Sequence, residues 1–429
     1  MRILIASDHY PPYIGGAHRQ TQLLSNELHR RGHEVSVATV WQPGLPELDE
    51  IDGIQIFRLR QIRTLLTRNG VDYIQRHQPP FPDLVTVVGL RRLIRKLKPE
   101  LVHSHGWFSY SCAVAMLGIK LPLLISGRDY GYSCATRTML YHDQLCDGPA
   151  LAKCMQCAAG FYGTPKGITA VLSLKVSQPW LRRKVTGIHS VSSFVQEVID
   201  RDFIGTHRPT MEKRHGSILE KVIPSFLVDQ DGHIPDNDFN KRLPNDPFIL
   251  FVGGLQPRKG LDVLLAAYQQ LDVPPPLVLI GYATSDMPKS YPAGVHIFLD
   301  ETHEHVMQAW EHSIFGVMPS VWPDPSPGVV REAFSKGKTV LGTNLGGTPE
   351  MIIAGETGLL VPAGDVTSLA YAMHQLINDS TLRDKLSQAA LRQANLYKSE
   401  IIVPQFESLY QRLIESASRR AGTERLGER

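Results

Sequence analysis

Two carboxylates stand close together in WPDPSPGVVREAF: Asp324, among three prolines and a glycine, and Glu332, inside a helical pattern that runs to Gly337. Pro325 and Pro327 hold Asp324 in an extended loop. The first free N–H groups of the helix, those that follow Pro327 at Gly328, Val329 and Val330, therefore fall between the two acids. Free amides at a helix start favour an anion. One ligand satisfies all three parts: hydroxyls for Asp324, a diphosphate for the helix start and ribose hydroxyls for Glu332. A nucleotide sugar has those parts in that order. The plainer alternative is a capped helix with an incidental glutamate.

Three further segments carry similar chemistry. In GGLQPRKG (253–260) a strand leads into a loop with Arg258 and Lys259 just before a helix. Two cations at a helix start make a stronger anion site than glycine alone. In YIGGAHRQ the pair Gly15 and Gly16 lets a backbone approach a ligand, or simply makes a strand-to-helix turn. In VHSHGW, His103 and His105 alternate, so both face one side of a strand. His105, at the strand end, is placed to meet a phosphate or a sugar hydroxyl, whereas His103 reads as a core or turn residue. Cys134, Cys146, Cys154 and Cys157 follow a C-x11-C-x7-C-x2-C spacing. Two thiolates on a tight C-x2-C turn can reach one metal ion, although the longer loops are unusual for a small zinc module. An iron–sulfur cluster also takes four cysteines, and four unconnected thiols is the third reading. Cys112, in an apolar helix, reads as core.

These residues need elements to position them. The chain has 429 residues, 42% hydrophobic and 20% charged, enough for two to three domains with sizeable cores. A net charge of +3 does not indicate a nucleic-acid partner. No apolar run reaches the ~18–20 residues of a membrane span, and MRILIASDHYPPYIGG lacks the pattern of a secretory signal. A cytoplasmic location is expected, with the cysteines as thiols or ligands. Short β-rich runs alternate with helical patterns, which predicts parallel sheets covered by helices. RILIAS, HEVSVATV, IQIFRL, ELVHSHG, PLLISGRD and GIHSVS form a first series, with RQTQLLSNELHRRG as a helix burying Leu23, Leu24 and Leu28. FILFVGGL, PLVLIG, VHIFL, IFGVMPS, KTVLGTN and GLLVPAG form a second. A polar, proline-containing linker separates them, and a helical tail with a kinking Pro404 ends in a frayed segment beyond Arg419. Ligands in such sheets bind beyond the carboxyl ends of the strands. LRRLIRKLK (90–98) is amphipathic and basic: either the outer helix of a domain or a face for anionic lipid.

Together these segments resemble a retaining glycosyltransferase of family 4. The most specific parts are FVGGLQPRKGLDVLLAAY and DPSPGVVREAFSKGKTVLGTNLGGTPEMIIAGETGLLVP. The resemblance implies the GT-B fold: two facing Rossmann-like domains, a deep cleft between them and a C-terminal helix returning to the first. The expected bounds are 1–205 for an acceptor domain with a cysteine-rich insertion at 128–166, and 206–246 for the linker. A nucleotide-sugar domain is expected at 247–397 and the returning helix at 398–420.

The resemblance also implies roles. Gly16 and Lys259 would serve the donor diphosphate, with Arg258 beside them, and His105 would contact the donor sugar. Asp324 would bind sugar hydroxyls, Glu332 the ribose, and Gly328 to Val330 the sugar and phosphates through backbone groups. The donor would be a UDP- or GDP-sugar, with no catalytic divalent metal, and the acceptor a saccharide or lipid-linked molecule. Peripheral contact with the inner face of an anionic membrane follows for a lipid-linked acceptor. A subset of the family carries a similar cysteine-rich insertion, which favours a structural zinc on the four cysteines. Two positions depart from the pattern. Asp324 stands where glutamate is usual, shorter by ~1.5 Å of reach. Gly254 stands where arginine is common, so a diphosphate cation is missing and Arg258 is its candidate replacement. Front-face substitution on a hexosyl donor is the expected chemistry, since no second carboxylate offers a covalent nucleophile. The alternatives are a non-catalytic nucleotide-sugar-binding partner in a glycan-assembly complex, or a synthase acting on a small soluble sugar.

Overall fold

A computed structural model of the chain describes residues 1–12, 16–66, 79–205, 218–228 and 237–427. Gly15 and the linker stretches 206–217 and 229–236 lie outside the described residues. The chain divides into two units: residues 1–139, 146–224 and 402–429 form the first, and residues 140–145 and 225–401 the second.

The first unit is built on β1 (Arg2–Ser7), β2 (Glu34–Val40), β3 (Leu48–Ile51), β4 (Ile54–Leu59), β5 (Leu101–His105) and β6 (Leu123–Gly127). A short hairpin, β7 (Leu140–Tyr141) and β8 (Gln144–Leu145), precedes β9 (Gly187–Ser190) and β10 (Leu219–Val222). The eight-stranded sheet runs β10-β9-β6-β5-β1-β2-β4-β3, parallel except for β3, which is antiparallel to β4. β3 had no strand signal: LDEI sits half-exposed at the sheet edge, where charged side chains are tolerated. By contrast β1, β5 and β6 are almost wholly buried, as strands covered on both faces must be. The first helix is Gly16–Arg30; it starts earlier than the apolar pattern and buries Leu24 and Leu28 completely, with Leu23 half-buried.

The basic helix Leu84–Leu97 is capped by Asp83, whose side chain accepts from Thr86 N, and buries Leu90, Leu93 and Ile94. Those three side chains are thus spent on the domain core, while Leu84 and Val88, one turn apart nearer the helix start, are 64% and 49% exposed. The cysteine-rich insertion is more helical than its sequence suggested, with helices Leu151–Tyr162 and Thr164–Lys184 packed together. The terminal helix runs without a break from Ser399 to Gly427 with Pro404 inside it. It continues past Arg419, where helix formers such as Ala421, Glu424 and Leu426 extend it.

The second unit holds β11 (Phe248–Val252), β12 (Leu277–Gly281), β13 (Val295–Leu299), β14 (Ser313–Met318), β15 (Val340–Thr343) and β16 (Gly358–Val361). Its all-parallel sheet is ordered β13-β12-β11-β14-β15-β16. Alternation along β11 feeds two cores. Phe248 and Leu250 join Val278, Trp310 and Phe334 on one face, while Ile249 and Phe251 join Leu264, Leu279 and Met373 on the other.

Candidate active site

In the first unit the parallel register sets the carboxyl ends side by side: Ser7 pairs with His105, and His105 with Ser126. His103 and His105 do share one face, their ring centroids 4.3 Å apart. Their environments differ. His103 Nδ1 lies 2.8 Å from the Tyr410 hydroxyl and Nε2 2.7 Å from Ser126 Oγ. Ser126 Oγ is in turn 2.8 Å from His189 Nδ1, and His189 Nε2 is 2.8 Å from the Ile223 carbonyl. His103 is a satisfied core residue that ties β5 to the terminal helix. His105 is buried too, yet neither ring nitrogen has a hydrogen-bond partner among the described residues. It lines a small pocket with Asp8, His18, Arg128, Asp129 and Arg137. Burial pushes His103 and His105 well below the ordinary histidine value, helped by their neighbouring cations and imidazoles; burial likewise lowers His189 to about 3. All three are neutral at physiological pH. A neutral, unpartnered imidazole can donate to or accept from a sugar hydroxyl.

Asp8 and Gly106 fix the turn that presents His105. Asp8 accepts from the backbone N–H of Trp107 (3.1 Å) and Phe108 (2.9 Å), at the start of helix Phe108–Ala115. Gly106 has φ +63°, and a Cβ there would lie 2.6 Å from Asp8 Oδ2. Only glycine suits that position. Arg137 pairs with Asp129 through Nε (2.9 Å) and lies over the Trp107 ring, 5.0 Å from its centroid. Asp8, Asp129 and Arg137 carried no spacing signal in the sequence. Gly16 opens helix Gly16–Arg30, where nothing lies within 4 Å of a would-be Cβ.

In the second unit, β11 leads through Gly253 and Gly254 into a single turn Pro257–Lys259 and then helix Leu261–Tyr268. Gly260 has φ +76°, and its would-be Cβ falls 1.8 Å from the Pro319 carbonyl oxygen, so this turn also demands glycine. Lys259 Nζ is 2.7 Å from Asp324 Oδ2. Arg258 Nε instead donates to Gln256 Oε1 at 3.1 Å. The missing side chain at Gly254 has a structural counterpart: a Cβ there would lie 2.7 Å from the Tyr282 ring and 2.8 Å from Gln256 Nε2. Those side chains take the room an arginine would need.

Asp324 is buried, and its Oδ1 accepts from Ser326 N at 3.3 Å. Gly347 N donates to the Asp324 carbonyl at 2.8 Å, and a Cβ on Gly346 would lie 2.6 Å from that same oxygen. The Gly-Gly pair thus lets a second loop close onto the acid loop. Pro327 precedes helix Gly328–Ser335 without any side-chain cap. Val330 is fully buried in the core, its N–H donating back to Pro327, and Val329 is half-buried. Glu332 Oε1 lies 3.8 Å from His303 Nδ1 and 4.0 Å from a would-be Cβ on Gly328. The structure therefore brings Lys259, Asp324, Gly328 and Glu332 to one helix start.

It adds a residue the sequence reading passed over. Arg331 is 3% exposed, has no carboxylate at ion-pair distance among the described residues, and donates from NH1 to Ser326 Oγ at 2.9 Å. Its NH2 lies 3.6 Å from a would-be Cβ on Gly328. Burial lowers its pKa, opposed by Tyr397, Glu332 and Asp324. A buried cation is costly unless negative charge is near it. Its signal in the sequence, an arginine where the helix faces its core, was readable from periodicity.

The cysteines form no disulfide, and Cys112 is buried as expected. Cys154 and Cys157 lie one turn apart on helix Leu151–Tyr162, not on a tight turn, so they still share a face. Cys134 Sγ is 3.2 Å from Thr136 Oγ1, and Cys146 Sγ donates to the Gly148 carbonyl at 3.5 Å. Burial raises the Cys154 and Cys157 thiols, and charge on Cys134 and Cys146 raises both further. No group of three or more metal-type side chains among the described residues stands in a metal-holding arrangement. No described helix is long and apolar enough to cross a membrane.

Known proteins bear on this geometry. Residues 14–144 match the family model for Glycosyltransferase Family 4, and residues 234–393 the model for Glycosyl transferases group 1. The chain is thus a two-unit α/β protein of GT-B type with a glycosyltransferase domain in each half. More particularly, it is 24% identical over 412 residues to the glycogen synthase of Mycobacterium tuberculosis, covering 91% of this chain and 89% of that one. An exopolysaccharide phosphotransferase of Streptomyces coelicolor is 33% identical over 127 residues, 29% of this chain but only 13% of that protein. In fold the chain is similar to sucrose-phosphate synthase from Thermosynechococcus elongatus, with TM-score 0.71, 18% identity and 97% and 100% of the two chains covered. Anabaena HepE, crystallised with UDP-glucose, gives TM-score 0.63 at 16% identity over 98% and 100% of the chains.

Proposed function

We propose that this protein is a retaining glycosyltransferase (EC 2.4 class) that moves a hexose from a nucleoside-diphosphate sugar to an acceptor hydroxyl in glycan, polysaccharide or glycolipid assembly. The observation that carries the reading is the grouping of Lys259, Asp324 and Glu332 around the uncapped start of helix Gly328–Ser335. The donor is a UDP- or GDP-sugar. HepE in complex with UDP-glucose, a neighbour in fold, favours the uridine donor.

Each residue then has a role. Glu332 holds the ribose hydroxyls. Lys259, Arg258, the amides of Gly328 and Val329 and the Gly16 N–H take the diphosphate, whose charge grows as the sugar–oxygen bond breaks, while the Val330 N–H stays on the Pro327 carbonyl. Preorganised donors aimed at that charge lower the barrier without reorganising during the reaction. Asp324 takes sugar hydroxyls, and neutral His105 another. The acceptor hydroxyl enters on the face the diphosphate leaves, which preserves the anomeric configuration. The departing diphosphate receives the acceptor's proton, so no second carboxylate is needed. The acceptor is a saccharide or a lipid-linked molecule, and the lipid-linked case places the protein at the inner face of a membrane.

Cys134, Cys146, Cys154 and Cys157 would hold a structural zinc. A soft four-thiol donor set drawn from three segments fits that ion, which would lock the insertion without taking part in transfer. One zinc per chain by elemental analysis, lost in Cys154→Ser with Cys157→Ser, is the expected result; an iron–sulfur absorption band would replace zinc by a cluster. The transfer reading is tested with UDP-, GDP- and ADP-sugars. Thermal stabilisation by one donor, and slow release of the same anomer by hydrolysis seen by NMR, are expected. Stabilisation without any turnover, even with acceptor extracts, would leave a binding protein in place of an enzyme.

A further inference from the structure

Helix Thr164–Lys184 is apolar on two sides. One side, with Ala170, Val171, Leu174 and Leu181, is buried in the first unit. On the other, Leu172, Val176 and Trp180 are 44%, 57% and 53% exposed. Their spacing of four places them in one stripe about 12 Å long. Arg183 continues that stripe, and exposed Lys166 and Lys175 flank it on its two sides. Phe161, at the end of the neighbouring helix, is 52% exposed. From 148 to 196 the sequence has six lysines and arginines and no aspartate or glutamate. The fold has no use for a tryptophan, a valine and a leucine in solvent on consecutive turns.

We propose that this face of helix Thr164–Lys184 docks on a bilayer surface rich in anionic lipid. The apolar stripe enters the acyl boundary, Trp180 sits at the headgroup level that its amphipathic ring prefers, and Lys166, Lys175 and Arg183 meet lipid phosphates. The charge pattern selects a lipid surface: cations on both flanks of an apolar strip, with no carboxylate in residues 148–196 to repel phosphates. On the Leu84–Leu97 helix, the other candidate for a lipid face, Leu90, Leu93 and Ile94 are buried in the core, whereas Leu172, Val176 and Trp180 form an exposed stripe. The inference deepens the transfer reading, on which it rests only for the lipid-linked acceptor.

The test is co-sedimentation of the full chain with vesicles of phosphatidylglycerol and phosphatidylcholine, against pure phosphatidylcholine, without donor or acceptor. Binding to the anionic vesicles is expected, and each surface cation should contribute about fivefold. Lys175→Glu with Arg183→Glu should therefore weaken partitioning by more than tenfold, as should Val176→Ser with Trp180→Ser. Both variants should keep the wild-type melting temperature and the same stabilisation by donor, since the residues are exposed and touch no donor group. Wild-type failure to bind either vesicle, or equal binding by wild type and both variants, would overturn the proposal. A wild-type dimer that Val176→Ser with Trp180→Ser dissociates, with no change in vesicle binding, would overturn it in favour of a second copy on this face. Vesicle binding is read separately from donor stabilisation and turnover, so either reading can fail alone.

Discussion

Lys259 is held by Asp324 at 2.7 Å, with the carboxylate nearly buried and the lysine partly exposed. An incoming diphosphate must take Lys259 from that carboxylate. Asp324→Asn removes the charge, while the amide oxygen can still accept from Ser326 N, so the loop should keep its shape. A hydrogen bond to a charged group contributes about 1.5–3 kcal/mol, which is the scale of the competition removed. Free nucleoside diphosphate should therefore bind Asp324→Asn roughly ten- to a hundredfold more tightly than wild type. The intact nucleotide sugar should gain less, because the hydroxyl contact is weakened, and turnover should fall. Titration calorimetry with UDP, GDP and their sugars on wild type, Asp324→Asn, Lys259→Ala and the double variant separates these effects. In the double variant the gain should vanish, which gives the coupling directly. Unchanged or weaker diphosphate binding in Asp324→Asn would refute the reasoning, since Lys259 would then not be the group the two anions share.

Arg331→Met should weaken nucleoside diphosphate binding by about tenfold and leave the uncharged nucleoside unaffected, with partial recovery in Arg331→Lys. Equal losses for both ligands in titration would mean the arginine serves only the loop. Buried, neutral His103, His105 and His189 have depressed pKa values, so the unfolded chain takes up protons first as pH falls. Their stabilising contribution is complete above about pH 6.5 and declines below it, by up to about 1.4 kcal/mol per pH unit for each histidine. For His189 the decline ends near its folded value of about 3. Urea unfolding of His189→Gln at several pH values should show a shallower acid slope than wild type, and an unchanged slope would contradict its neutral burial. Gly254→Arg should not improve donor affinity alone, whereas Gly254→Arg with Tyr282→Ser should, because Tyr282 occupies the space; thermal-shift titration with the donor distinguishes them.

Much of this was legible in the sequence. Continuous apolar runs such as RILIAS, LLISG and FILFV announce parallel strands buried on both faces, because such strands have no polar side to alternate. The prolines, glycine and acids of DPSPGVVREAF announce a helix start between two carboxylates, since capping and turn chemistry are local. Periodicity also located the apolar face of LRRLIRKLK but left its partner open. Only packing showed that Leu90, Leu93 and Ile94 are enclosed while Leu172, Val176 and Trp180 stay in solvent. Other features depend on residues far apart in the chain. Asp8 reaches the amides of Trp107 and Phe108 across β1 and β5, and Tyr410 from the last helix satisfies His103, leaving His105 alone without a partner among the described residues. The ion pair of Lys259 with Asp324, the closure of Tyr282 over Gly254 and the buried charge of Arg331 belong to the same kind. Local chemistry is written in spacing because backbone geometry repeats over a few residues. Which charge meets which, and which apolar face is left over, is decided only when the sheet register brings distant segments together.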